Sequence, residues 1–281
     1  MPLHLLCVGL ATVDLIQRVT RFPAPNEKIQ SESVDVAAGG PATNAAITAA
    51  ALGARVTLLS AVGRHPLAAL LKADLEAHHV TLLDATPDAT TPPPVSAVTV
   101  LSTTGERMIV SRNAGATEVP VPEEGLPTAD LTLTDGHHPE LARAAARKAA
   151  RLLIDAGSWR PVFPDLFPHA EVVACSADFR HPAATASGDD AATARAIAAP
   201  AVVITHGPAP VRWFTADASG EVPVPTVKAV DTAGAGDAFH GALAVAMLNG
   251  LPLPAATATA SRTAAIRVSH AGPRSWLTHL V

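Results

Sequence analysis

The sequence predicts an α/β fold: an open, mostly parallel sheet with helices on both faces, plus a small second β-sheet. Three observations predict it. Short apolar runs recur along the 281 residues, and alanine-rich stretches of high helix propensity separate them. Two segments of polar–apolar alternation then break that rhythm.

The first run, Leu3 to Leu10, closes on Gly9-Leu10 and suits a strand buried on both faces. Equivalent runs lie at Val56–Ala61, Leu131–Thr134, Leu152–Ile154, Val172–Cys175 and Val202–Thr205. Helices are expected over Ala42–Leu52, Pro66–His78 and Glu140–Ala150. Asp178–Pro200 reads as a loop with one helix near Asp189–Ala198. Arg18–Val36 and Val95–Val110 differ, the second containing Ser96-Ala97-Val98-Thr99-Val100 and a turn at Thr103-Thr104-Gly105. They read as half-exposed antiparallel strands that meet in one small sheet, with flexible loops as the alternative. A sheet with one face open must cover a ligand, a second subunit, or both.

Charge and cysteine content narrow the function. With 20 Lys+Arg against 25 Asp+Glu, the net charge of −5 gives no bulk basic footprint for nucleic acid. The longest uncharged stretch, Ala238 to Ser261, is broken by Asn249-Gly250, Pro252 and Pro254, so no membrane span is expected. No secretory leader pattern opens the chain. Cys7 and Cys175 provide neither a disulfide framework nor zinc spacing. The expectation is a soluble, cytoplasmic protein.

Chemistry concentrates at Asp231-Thr232-Ala233-Gly234-Ala235-Gly236-Asp237, which leads into a helix over Ala238–Leu248. A glycine-containing turn at a helix N-terminus presents unpaired N–H groups and the positive dipole end, a geometry that binds phosphate without lysine. Asp237 beside such amides could take a proton from an attacking hydroxyl, help typically worth ~10²–10⁴ in rate; an ordinary first-turn acid is the plainer alternative. A second turn, Gly39-Gly40-Pro41-Ala42-Thr43-Asn44, opens the helix that stops at Gly53. There is no Gly-x4-Gly-Lys-Ser/Thr loop, no three-glycine dinucleotide fingerprint after the first strand, and no Gly-x-Ser-x-Gly elbow. His78-His79 and His137-His138 are adjacent pairs without zinc spacing, expected to be solvated or at helix ends.

Together these motifs resemble the ribokinase-like family, the PfkB carbohydrate kinases. Gly39 to Ala46 with Leu52-Gly53 is similar to its N-terminal signature, and Asp231 to Phe239 to its highly specific C-terminal one. Val8-Gly9 with Val13-Asp14-Leu15 extends the likeness to nearly the whole chain. Cys7 to Leu10, Gly105-Glu106-Arg107 and Phe239-His240-Gly241 look most like the ketohexokinase and sulfofructose kinase branch.

The resemblance implies a single ribokinase-like domain over residues 1–281, with lid segments at about 12–36 and 92–112. It implies Asp237 as the catalytic base and Ala233, Gly234, Ala235 and Gly236 as the anion hole. Asp14, Gly39, Gly40 and Asn44 would contact sugar hydroxyls, and Asp135 stands where many members carry a sugar-facing glutamate. Thr205 and Gly207 match the segment that lines ATP, and Asp231 and Thr232 would lie near ATP and a monovalent-cation loop. ATP, Mg²⁺ and a monovalent cation are thus the implied cofactors, and a homodimer clasped through the lid the implied assembly. Lys28, Arg107 and Arg112 lie in or beside the lid and could together read an acidic group, unless they are simply solvated or dimer contacts.

Four departures stand out. Pro41 replaces a sugar-contacting asparagine or lysine, and Cys175-Ser176-Ala177-Asp178 lacks the Asn-x-x-Glu pattern used around magnesium. Gly136 falls near where sulfofructose kinases place an arginine. Pro208 and Pro210 stiffen the segment after Thr205. The expected function is ATP-dependent phosphorylation of a ketose or other furanose sugar. A nucleoside kinase and a catalytically silent sugar or nucleotide sensor are the alternatives.

Overall fold

A computed structural model describes residues 3–115, 118–184 and 189–280. The chain opens with β1 (His4–Val8), β2 (Thr12–Val19) and β3 (Ser33–Gly39), then α1 (Pro41–Ala51), β4 (Arg55–Ser60), α2 (Pro66–Ala77) and β5 (Val80–Asp84). The hairpin of β6 (Val95–Leu101) and β7 (Arg107–Ser111) precedes β8 (Leu131–Thr134), α3 (Pro139–Lys148) and β9 (Leu152–Ala156). Next come the single turn α4 (Phe163–Leu166), β10 (Val172–Ser176), α5 (Asp190–Ile197) and β11 (Ala201–His206). The chain closes with β12 (Ala209–Thr215), β13 (Ser219–Val222), α6 (Ala235–Leu248) and α7 (Leu253–Val268).

Nine strands form the main sheet in the order β13-β12-β11-β10-β9-β8-β1-β4-β5. The seven from β11 to β5 pair in parallel. The last two strands on the β13 side, β12 and β13, run antiparallel. Parallel strands need cover on both faces, and alternate side chains supply it. Leu5, Cys7, Leu58 and Leu133 face the α1–α6 layer with Ala45 and Leu243. Leu6, Val8 and Leu59 face α3 through Leu141, and Leu152 and Ile154 meet Phe163 and Phe167. A fully buried leucine contributes about 1.5–3 kcal/mol, so these two apolar layers hold the scaffold.

The second sheet has the order β3-β2-β6-β7, with β2 and β6 parallel and both outer pairs antiparallel. Its inner face, Ile16, Val98 and Val100, is buried against Ala233 of the C-terminal turn. The alternating segments are therefore strands, although 20–32 within Arg18–Val36 is loop. Three features escaped the pattern. β5 follows α2 almost at once, α7 lies in a stretch of low amphipathic contrast, and Pro210 disguises β12, at whose start, ahead of the pairing with β13 and beside the irregularity against β11, a missing N–H is tolerated. Among the described residues no helix is long and apolar enough to cross a membrane.

Candidate active site

The two glycine turns meet because α1 and α6 pack unusually close. A Cβ at Gly241 would lie 2.4 Å from the Ala45 carbonyl oxygen, so only glycine allows the approach. It brings Asn44, four residues into α1, beside Asp237, the third residue of α6. Asn44 Nδ2 donates to Asp237 Oδ2 at 2.8 Å.

α6 begins at Ala235, earlier than the sequence suggested, with Gly234 as its left-handed N-cap (φ 68°). The anion-hole expectation shifts accordingly. Ala233 N–H already donates to Asp231 Oδ1 (3.0 Å), and Ala235 N–H makes a long 3.4 Å bond to the Thr232 carbonyl. The amides of Gly234, Gly236 and Asp237 have no partner of this kind, precede the helical ladder and are the ones free for an anion.

Both turns open on a cavity of about 430 Å³ between the C-terminal ends of the parallel strands and the small sheet. Asp14, Gly40, Asn44, Arg107, Thr205, Ala233, Gly234, Gly236 and Asp237 line it, nine of the residues expected from sequence. Asp14 sits at the mouth of β2, where its carboxylate accepts from Thr12 Oγ1, and burial raises its pKa above the ordinary value. Gly39 lies beneath it: a Cβ there would fall 2.0 Å from Asp14 Oδ2.

Other expected residues lie off the wall. Asp135 is buried, its carboxylate accepting from the amides of Leu10 (2.9 Å), Ala42 (3.2 Å) and His137 (2.9 Å). It ties β1, α1 and its own loop together and has no face toward the cavity, so the sugar-facing expectation gives way to a structural one. Arg112 and Lys28 are exposed and are not among the residues lining the cavity. Gly207 makes the β11–β12 turn at φ 59°. Asp231 is 1% exposed and pairs with Arg267 at 3.3 Å, while also accepting from Gly272 N at 3.2 Å. Arg267 and Gly272 both meet Oδ2 and the Ala233 amide meets Oδ1, so each oxygen already has a partner within the protein. Thr232 Oγ1 donates to the Gly105 carbonyl (2.8 Å) and accepts from Arg107 Nη1 (3.0 Å), pinning the β6–β7 turn over the C-terminal motif.

Sequence reasoning missed six wall residues: Asp155, His240, His137, Arg160, Arg267 and Arg274. His240 was signalled by its three-residue spacing from Asp237 on one helix face; nothing local marked the others. His137 and His138, expected to be solvated or at a helix end, are both buried, though His138 does cap α3. Burial pulls both imidazoles below the usual histidine range, and the neutral His137 Nε2 accepts from Arg160 Nη2. Arg274 pairs with Asp74 (2.8 Å) and donates to the Ala38 carbonyl, bracing the turn before α1. Burial, and then the Asp155 carboxylate, push the pKa of Asp237 up to about 6, against the Asn44 bond, His240 and Arg107.

Comparison with known proteins decides the family. The model of the pfkB family carbohydrate kinases matches residues 3–279. The chain belongs to that family. This kinase is 26% identical over 277 residues to the ribokinase of Bacillus subtilis strain 168, covering 94% of its own length and 92% of the relative's. A putative ribokinase from Agrobacterium tumefaciens superposes with a TM-score of 0.82 at 27% identity, covering 99% of this kinase and 94% of that chain. The fold is also that of Arabidopsis thaliana ribokinase, solved with ribose and ATP, at a TM-score of 0.76 and 21% identity over 100% and 99% of the two chains. The kinase is an ATP-dependent carbohydrate kinase with the ribokinase-like α/β fold and its small second sheet.

Proposed function

We propose that this kinase transfers the terminal phosphoryl group of ATP to a hydroxyl of a small furanose-forming sugar, a ketose or a pentose, with Asp237 as general base. The observation that carries this reading is Asp237 itself. It stands on the cavity wall at the free amides of α6, facing the half of the cavity that holds Asp14, Gly40 and Asn44. The sugar would lie there, and ATP along the ends of β10 and β11, where Ser176, Asp178 and Thr205 reach the same space. Asp237 would take the hydroxyl proton while the Gly236 and Asp237 amides meet charge developing on the phosphoryl group. The small sheet, latched through Thr232 and Gly105, would act as the lid that keeps water from the phosphoryl group.

Magnesium fits as a companion of the nucleotide. Among the described residues no group of three or more His, Cys, Asp or Glu could hold a metal. Asp178 and Thr205 offer one or two oxygens, as suits Mg²⁺ arriving on phosphates with much of its water retained. When bound it would neutralise phosphate charge.

The sugar reading is favoured over a nucleoside because Trp276, the one Trp, Phe or Tyr on the cavity wall, is 3% exposed and donates its indole N–H to the Pro273 carbonyl. No Trp, Phe or Tyr face on that wall is left for a base to stack on. ADP release measured with ribose, fructose, other ketoses, ketohexose phosphates and nucleosides tests the reading. Turnover of a free sugar supports it; turnover of nucleosides alone, or binding by calorimetry without any turnover, overturns it.

The second part of the proposal is a homodimer through the small sheet. Strand register places Val34 and Val36 of β3 on one face with Met108 and Val110 of β7. They are 54%, 49%, 54% and 75% exposed. A contiguous apolar face of this kind, on the side away from the cavity, suits a second copy of the same sheet.

A further inference from the structure

His240 lies one helical turn beyond Asp237 on the inner face of α6, and its Nδ1 is 3.0 Å from Asp155 Oδ2 at the end of β9. Both residues are 5% exposed, and both reach the cavity wall beside Asp237. Asp155 Oδ1 is fixed by the Gly157 amide at 3.2 Å. Neither imidazole nitrogen has an aligned hydrogen bond, and the Asp155 contact becomes an ion pair when His240 holds its second proton. The other titratable groups on this cavity wall are Asp14 from β2, Arg107 from β7, His137 after β8, Arg160 after β9, Asp178 after β10, Arg267 from α7 and Arg274 after it, with the Cys175 thiol buried behind Asp155. α1 contributes only the neutral Asn44.

We propose that Asp155 and His240 are positioning residues for phosphoryl transfer: a buried pair of opposite charges, set against the base so that neither acts on it alone. The inference rests on the reading of Asp237 as that base. A buried ion pair is poor value as a stabiliser, since apolar side chains of similar volume commonly do as well or better. Its place beside a carboxylate that must lose and regain a proton gives it a different use. Burial alone would pull His240 down, but Asp155 and Asp237 outweigh it and hold the imidazole above its usual range. Burial would raise Asp155, yet His240 holds it below the ordinary carboxylate value. Each member therefore favours the charged form of the other. Its two members act on Asp237 in opposite directions, Asp155 raising and His240 lowering its proton affinity.

That opposition is the test. The side-chain carboxyl of Asp237, assigned by its loss in Asp237→Asn, is titrated by ¹³C NMR in the ligand-free protein and in Asp155→Asn, His240→Asn and the double variant. The acid limb of kcat/KM is followed alongside, with the sugar turned over best in the ADP-release screen. Asp155→Asn should move both readouts to lower pH and His240→Asn to higher pH, each by about half a unit or more, and the double variant should return toward the parent. If the midpoints stay put, or both single variants move the same way, the pair is merely structural and the proposal falls. Should His240→Asn fail to fold, the downward shift in Asp155→Asn still decides. Turnover retained in Asp237→Asn would overturn the base assignment instead, a distinct result.

Discussion

The Asn44 side-chain amide donates to Asp237 Oδ2 across 2.8 Å, although 193 residues separate them. One bond thus joins the turn expected to hold the sugar to the turn expected to hold the phosphoryl group. It is also the hydrogen bond that favours the charged form of the base. Replacing Asn44 by Ala should move the acid limb of kcat/KM upward from about pH 6 and raise KM for the sugar. A pH–rate profile checks this; an unchanged limb would detach Asn44 from the base.

Asp237→Ala should lose at least ~10² in kcat while sugar binding by calorimetry persists. Near-parent turnover would remove the base from the mechanism.

The same carboxylate makes a stability prediction. Its folded pKa of about 6 lies above the unfolded value of 3.8, so the folded state holds the extra proton between those values. Stability from this group is therefore greatest at low pH and declines as pH rises through about 6. Asp237→Asn should be more stable than the parent at pH 8 by roughly 1–2 kcal/mol, less than the full shift implies because cavity water reaches the group. The gain should vanish near pH 4. Urea titrations at the two pH values measure it.

Gly39→Ala places a methyl group 2.0–2.4 Å from the Asp14 carboxylate. Asp14 must move, so KM for the sugar should rise at least about tenfold, equivalent to ~1.4 kcal/mol, with KM for ATP little changed. Equal effects on both substrates would place Asp14 outside the sugar half of the cavity.

Asp231→Ala leaves Arg267 buried and uncompensated and frees the Ala233 and Gly272 amides. Loss of one partner of a buried pair typically costs about 3–5 kcal/mol. Chemical denaturation should show a loss of that size, together with lower kcat as the 233–236 turn loosens.

Val36→Lys with Val110→Lys, on the outer face of the small sheet, should convert a dimer to monomers in light scattering. A parent that is already monomeric at all concentrations would refute the lid dimer.

Much of this was legible in the amino-acid order. Runs such as Leu3 to Leu10 had to be strands buried on both faces, since nothing else accommodates short, unbroken apolar stretches between helices. The two glycine turns announced helix starts, and the C-terminal one of them an expected anion site, because glycine backbone freedom and first-turn amides are local properties. Pro210 hid β12, because a proline at the start of a strand can be read only once the strand's pairing is known to begin beyond it.

Charge placement was not local in this sense. Asp135 looked like a ligand until three backbone amides claimed it, and Asp231 until Arg267 did. Asp155, Arg160 and Arg274 carried no pattern; they became wall residues only because β9, the loop after α7 and the lid converge on one space. The order of residues determined which segments become strands, helices and phosphate-ready turns, because those preferences act within a few residues. Which polar groups remain free for a substrate, and at what pH they hold a proton, depended on partners distant in the chain, as far as 193 residues for Asn44 and Asp237, and only tertiary packing chose them.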